Sequence, residues 1–291
     1  MTAEQIEKKH REDLVRLQGF RLLDDDFMTK CFEDAPACIE LVLRILLEMP
    51  DLRVIDVHTQ VFVENLLHRS LRLDVLATDS DGRRLNVEIQ RSDRGAGRKR
   101  ARFNSSMLDV GLLDKGSEFD ALPETYVIFI TENDVMGKSL ARYHIDRVIR
   151  ETGERFNDGA NIIYVNGAYR DDTPVGRLMH DFSCTRAEDM NYSVLAERVK
   201  FFKESEEGSA IMCKVIEDMR LQERAEGRAE GLREGRAEGR AEGRAEGLRE
   251  GAVASLRSLM QNLSFDLEQA MRALGLPQEE LPEYRQLLEQ R

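Results

Sequence analysis

The chain has 291 residues, 41% hydrophobic and 34% charged, with a formal net charge of −12. That length allows one large or two modest domains with an ample core, and the acidic balance argues against a generic nucleic-acid coat while leaving room for a local basic groove. No apolar run approaches a membrane span, the N-terminus lacks a signal-peptide core, and the four cysteines (Cys31, Cys38, Cys184, Cys213) show neither CxxC spacing nor a histidine at zinc-finger distance. A soluble, cytoplasmic protein with free buried thiols is expected.

Residues 1–25 are charged and weakly amphipathic, a helix lying on the domain. Asp24-Asp25-Asp26 suits the cap of the next helix, in which Phe27, Cys31, Cys38, Ile39, Leu41, Val42, Ile45 and Leu46 recur at helical spacing until Met49-Pro50. Val54–Val57 and Thr59–Leu66 read as strands. Leu71 to Gln90 then reads as a hairpin: Leu71, Leu73, Val75 and Ala77 alternate with Arg72, Asp74, Leu76 and Thr78. Asp79-Ser80-Asp81-Gly82 supplies the turn. On the return strand Leu85, Val87 and Ile89 point one way, and Asn86, Glu88 and Gln90 the other.

Asp74, Glu88 and Gln90 are thus three polar groups in otherwise apolar strands, and burying the two carboxylates without a partner would be costly. The D-x13-E-x-Q arrangement offers the hard oxygen donors that a magnesium ion prefers. After Gln90 the composition changes to a basic cluster, Arg91, Arg94, Arg98, Lys99, Arg100 and Arg102, which leads into a helix with Phe103, Met107, Val110 and Leu113 on one face. Basic residues beside a carboxylate site suit the phosphates of DNA. The bland alternative is a solvated helix start that balances an acidic chain.

Tyr126–Ile130 is a continuous apolar run, the pattern of a central strand covered on both faces. Tyr143–Arg150 and Ile162–Val165 read as further strands, with Asn166-Gly167 ending the sheet. His58, His68, His144 and His180 are scattered and read as structural, and Glu40 and Glu64 are further acidic candidates near the hairpin. From Leu221 a four-residue repeat, RAEG with LREG variants, places glycine at 227, 231, 235, 239, 243, 247 and 251. Each glycine costs a helix about 1 kcal/mol relative to alanine, and Arg and Glu two apart cannot pair. If helical, the small-residue rows drift right-handedly and admit another helix in a coiled-coil-like approach; a solvated spacer is the alternative. Val253 to Leu263, a cap near Asp266, and Leu281 to Leu288 form a small helical tail.

The D…ExQ hairpin resembles the PD-(D/E)XK nuclease superfamily, and within it the recombination-promoting nuclease, or PD-(D/E)XK nuclease family transposase, group. Gln90 stands where the wider pattern has lysine. The stretches RARFNSSMLD, LPETYVIFITENDVMG, FNDGANIIYVNGAYRDDTP and LMHDF carry the resemblance from Phe27 to Lys203. It implies an α/β, restriction-endonuclease-like mixed sheet flanked by helices over residues 1–205; the charged repeat (206–251), read as a helix, and the helical tail (252–291) lie beyond it. It also implies a magnesium-dependent DNA endonuclease (manganese as a substitute ion) tied to recombination or mobile elements. Asp74, Glu88 and the carbonyl of Ile89 would hold the metal, and Gln90 would orient the attacking water. The alternative is a catalytically weak DNA-binding or oligomerisation module that keeps the fold, with self-association through the arm.

Overall fold

The computed structural model describes residues 3–64, 70–91, 95–113 and 116–289. They form two compact units, Met1–Glu217 and Asp218–Arg291. In the first unit, helices α1 (Ala3–Gln18), α2 (Asp25–Phe32) and α3 (Pro36–Leu47) precede strands β1 (Val54–Val63), β2 (Leu71–Asp79) and β3 (Arg84–Gln90). Helix α4 (Arg98–Val110), β4 (Thr125–Thr131), β5 (Arg142–Ile145), β6 (Ala160–Asn166), α5 (Pro174–Ser183) and α6 (Ser193–Glu204) follow. The sheet order is β1-β2-β3-β4-β6-β5. The β1–β2, β2–β3 and β5–β6 pairs are antiparallel, and β4 runs parallel to β3 and β6. The fold is therefore the expected α/β architecture, a mixed sheet flanked by helices.

Each face of the sheet has its own core. Val75, Ala77, Leu85, Val87, Ile89, Tyr126, Ile128, Ile130, Ile163 and Val165 pack with α2, α3, α5 and α6. Val127, Phe129 and Tyr164 pack with Ala101, Met107 and Leu108 of α4 on the other side. Every residue of β4 is buried, which is why its sequence is apolar without alternation. Gly82 takes φ +82° in the β2–β3 turn, a backbone geometry that disfavours a side chain. At Gly167, just after β6, an added Cβ would lie 2.4 Å from the Thr131 carbonyl oxygen. The ends of β4 and β6 meet so closely there that only glycine fits.

Three sequence expectations change. The single long helix from Phe27 is two: Asp34 turns to φ +53° and Pro36 opens α3, since proline suits a helix's first turn but cannot sit in its interior. Val54–Val57 and Thr59 onward are one strand, ending at Val63; residues 65–69, with the rest of that expected strand and His68, lie outside the described residues. The strand expected over Tyr143–Arg150 contributes only Arg142–Ile145 to the sheet, because at the Ile145–Ile162 pair its partner is two residues from its own start. Val148 and Arg155 form an isolated bridge beyond it.

The α1–α2 connection is fixed from a distance. Lys203 of α6, 6% exposed, donates to the carbonyls of Gln18 (3.1 Å), Phe20 (2.6 Å) and Thr185 (2.5 Å). Burial pulls its pKa down to about 8. Three carbonyl acceptors are the compensation a buried ammonium requires, and they fix where α2 begins.

Helix α7 (Glu206–Leu263) carries the repeat, which is helical throughout; α8 (Leu267–Ala273) and α9 (Leu281–Glu289) follow. No described neighbour approaches a Cβ position at any of the seven repeat glycines. The second unit's core is Leu256, Ala270, Met271 and Tyr284. Asp266 starts α8 with a reciprocal capping box to Gln269. No described helix is long and apolar enough to cross a membrane.

Candidate active site

The site begins with a fault in strand β2. Residues two apart on a strand share a face, yet Leu71 and Leu73 belong to the α4-side core while Val75 and Ala77 belong to the other. The strand turns over at Asp74. Across from it, Gln60 of β1 takes φ +54°, and Gln60 and Asp74 both drop out of the ladder between the Thr59–Val75 and Val61–Leu73 pairs, with no change of register. The β2–β3 ladder likewise runs only from Thr78–Arg84 to Val75–Val87. Where it stops, side chains take over: Asp74 Oδ2 accepts from the Ile89 amide (3.0 Å), and the Asp74 amide donates to Glu88 Oε1 (3.3 Å). The four apolar residues expected on one face of β2 are thus split between two, and the split is what brings Asp74 against β3.

Glu88 is fully buried and Asp74 is 6% exposed. Asn86, also fully buried, donates from Nδ2 to Glu88 Oε1 (3.0 Å) and to the Val75 carbonyl (3.2 Å). Arg100 of α4 reaches the same group from the other side, with Nη2 3.0 Å from Glu88 Oε2 and Nη1 3.4 Å from Gln90 Oε1. Its Nη1 also donates to the Gly95 carbonyl (3.1 Å), and the guanidinium stands 5.9 Å from the Phe129 ring centre. Glu88 and Gln90 therefore share the face that strand alternation assigned them, with Arg100 forked over both.

Burial, then the Glu88 carboxylate, then Asp25 push the Asp74 carboxyl up to about 8. Burial also pushes Glu88 upward, against the opposing pull of Asn86 and Arg100. Burial and the neighbouring carboxylate both favour the protonated form of Asp74 at neutral pH. Hard carboxylate oxygens in such a pair suit a divalent cation, which would replace that proton. The bonds named above use one oxygen of Asp74 and both of Glu88. Arg100 and Gln90 remain partly exposed, so the cluster opens to solvent.

Asp25, read from the sequence only as capping material, is a third carboxylate at this site. It lies in the first turn of α2, and the side chain of Gln60 joins it (3.4 Å) to Thr29 (2.8 Å). Burial and Asp26 raise its pKa. The sequence signal was a run of three aspartates, more than one cap needs. Asn86 was legible from its place two residues before Glu88 on the same face. Of the other acidic candidates, Glu40 is occupied at the start of β1 by the Val54 amide (2.8 Å) and Arg44 (2.6 Å), and Glu64 is exposed.

The basic cluster is divided. Arg91 forms ion pairs with Asp24 (2.9 Å) and Glu132 (3.5 Å), and Arg100 is held at Glu88. Arg98, Lys99 and Arg102 are exposed on the first turns of α4, Arg98 reaching the sulfur of Met136 at 3.8 Å. Arg94 lies outside the described residues.

Comparison with known proteins returned one family, described as PD-(D/E)XK nuclease family transposase, over residues 37–168. No curated protein and no solved structure matches. The matched stretch runs from the start of α3 to just past β6 and contains the whole sheet, including Asp74, Glu88 and Gln90. Over residues 37–168, under half of its length, the chain is similar to the PD-(D/E)XK nuclease family transposases.

Proposed function

We propose that the protein is a magnesium-dependent DNA endonuclease, active with manganese as well, that hydrolyses phosphodiester bonds in the cytoplasm during recombination or the movement of mobile elements. The observation that carries this reading is the buried Asp74–Glu88 pair at the turned-over strand, with Arg100 and Gln90 at its open side. Asp74, Glu88 and the carbonyl of Ile89 would hold the ion, with Asp25 beside them. The ion would supply Lewis acidity toward the scissile phosphate and a more acidic bound water. Gln90 orients that water through its carboxamide. Arg100, beside Glu88 and Gln90, would provide the positive charge that lysine gives in the wider superfamily. Arg91, Arg94, Arg98, Lys99 and Arg102 would contact the DNA backbone; of the described ones all are exposed, and Arg91 is held in ion pairs.

Incubation of a supercoiled plasmid with magnesium, manganese or EDTA tests the reading. Nicked or linear product should form with either metal and not with EDTA. Uncut plasmid under all three conditions would favour the second reading, a DNA-binding module that keeps the fold. That reading draws on Gln90 in the lysine position and on Arg100 already paired with Glu88. The repeat in α7 adds self-association to the proposal. The solution mass of the full chain should be a multiple of its 33.4 kDa, while a protein ending at residue 205 should be monomeric; a monomeric mass for both would leave the arm as a spacer.

A further inference from the structure

We propose that His180, Asp181 and Cys184, at the end of α5, form a second metal site that takes a borderline cation such as zinc rather than magnesium. It is independent of the nuclease reading. His180 and Cys184 are four residues apart and therefore fall on one side of the helix end. His180 Nδ1 lies 3.5 Å from Cys184 Sγ and 3.4 Å from Asp181 Oδ1, and the three ligand atoms all lie within 4.8 Å of one another. Nitrogen, oxygen and sulfur ligands bound tetrahedrally to zinc at roughly 2.0 to 2.3 Å stand about 3.3 to 3.7 Å apart. Both edges at His180 Nδ1 already have that length.

The surroundings resemble a prepared ligand shell. Asp181 is fully buried and accepts from the amides of Asn191 (2.7 Å) and Tyr192 (2.8 Å) and from Asn191 Nδ2 (2.8 Å). Such bonds orient a ligating carboxylate. On their own they would also describe a clamp on the loop before α6. They do not account for a thiol set against an imidazole. Burial pushes the Cys184 thiol up to about 11 and the carboxylates of Asp181 and Asp189 add to the shift; a bound dication would offset that negative charge. His180 and Cys184 are partly exposed, which gives the ion a way in and leaves its fourth position to water. Asn191 Nδ2, 3.1 Å from His180 Nδ1 and 2.8 Å from Asp181 Oδ1, would turn aside from both, leaving the Asn191 and Tyr192 amides to hold the carboxylate. A thiolate–imidazole–carboxylate set selects zinc-like ions, whereas the Asp74–Glu88 oxygens select magnesium-like ones.

Cobalt is the probe, used on the full-length protein carrying Cys213→Ser, because Cys213 is the other partly exposed thiol and lies 3.8 Å from His10 Nδ1. One cobalt should bind per chain with thiolate-to-cobalt absorption, and zinc should displace it. Cys184→Ser should abolish that absorption, and His180→Ala should weaken cobalt binding at least about tenfold. Asp74→Asn should leave the absorption unchanged. Zinc, and not magnesium, should also protect Cys184 from alkylation in the Cys213→Ser protein, a measurement that needs no variant at the site. Absence of the absorption, its survival in Cys184→Ser, or equal alkylation of Cys184 with and without zinc would overturn the proposal.

Discussion

Asp74→Asn should abolish magnesium-dependent cleavage while making the metal-free protein more stable than wild type at pH 8. Loss of a ligand removes several kcal/mol of charge stabilisation in the transition state, so the rate should fall on the order of 10³-fold or more. The stability gain follows from proton linkage. The Asp74 carboxyl has an ordinary value of 3.8 and about 8 when folded. Below pH 4 both states hold the proton. Between about pH 4 and pH 8 the unfolded chain releases it and the folded chain keeps it, so wild-type stability falls as pH rises. Asparagine has no such proton, and the difference should reach a few kcal/mol near pH 8, on the scale of about 1.4 kcal/mol per pKa unit. Glu88→Gln should likewise abolish cleavage but gain less stability, since it leaves Arg100 without its carboxylate partner. Denaturant unfolding in EDTA at pH 5, 6.5 and 8, with cleavage by the same preparations, checks both halves. Cleavage at the wild-type rate by either variant would remove this pair from the active site, and a flat wild-type stability profile would remove the Asp74 proton.

Arg100 and its exposed neighbours should separate chemistry from affinity. Arg100→Ala is expected to slow single-turnover cleavage about 10²- to 10³-fold at saturating DNA, the scale for removing a preorganised electrostatic donor. Affinity should change little, because this guanidinium is committed to Glu88 and Gln90 in the free protein. Arg100→Lys should recover only part of the rate, since an ammonium cannot fork across two acceptors. The triple Arg98→Ala, Lys99→Ala, Arg102→Ala variant should do the opposite. It should weaken binding alike on unrelated sequences and flatten the salt dependence by roughly one contact per residue, with single-turnover cleavage at saturation near normal. If Arg100→Ala instead lowers affinity and leaves the saturated rate intact, Arg100 is one more phosphate contact.

The site was legible in the sequence where local rules govern it. The Asp79–Gly82 turn, the alternation that puts Glu88 and Gln90 together, and the doubly buried β4 all follow from spacing alone. What spacing could not reveal is the reversal at Asp74, because Leu71, Leu73, Val75 and Ala77 alternate without interruption while the backbone between them changes face. The irregularity extends to the neighbouring strand, where Gln60 takes φ +54°. Asp25 was hidden for a related reason: a carboxylate in a helix's first turn satisfies a capping rule, and only packing of α2 against the sheet gives it a second neighbour in Asp74. Lys203 shows the limit most plainly, since its three acceptors include two about 185 residues away in the chain. The break before Pro36, by contrast, was readable from proline's stereochemistry and was overridden by a persuasive apolar periodicity.

The four-residue module of α7 has a consequence for how this gene could vary. Adding or deleting one RAEG unit would change the helix length by about 6 Å and turn everything after it by about 40°, from the 1.5 Å rise and 3.6-residue turn of an α-helix. Because no described side chain packs against the repeat glycines, such an in-frame expansion or contraction would disturb neither the sheet nor the cluster around Leu256. A four-residue unit corresponds to twelve nucleotides, so gain or loss of whole units keeps the reading frame, and this segment of the protein can absorb the result. The arm is a length that can drift between lineages without the chain unfolding.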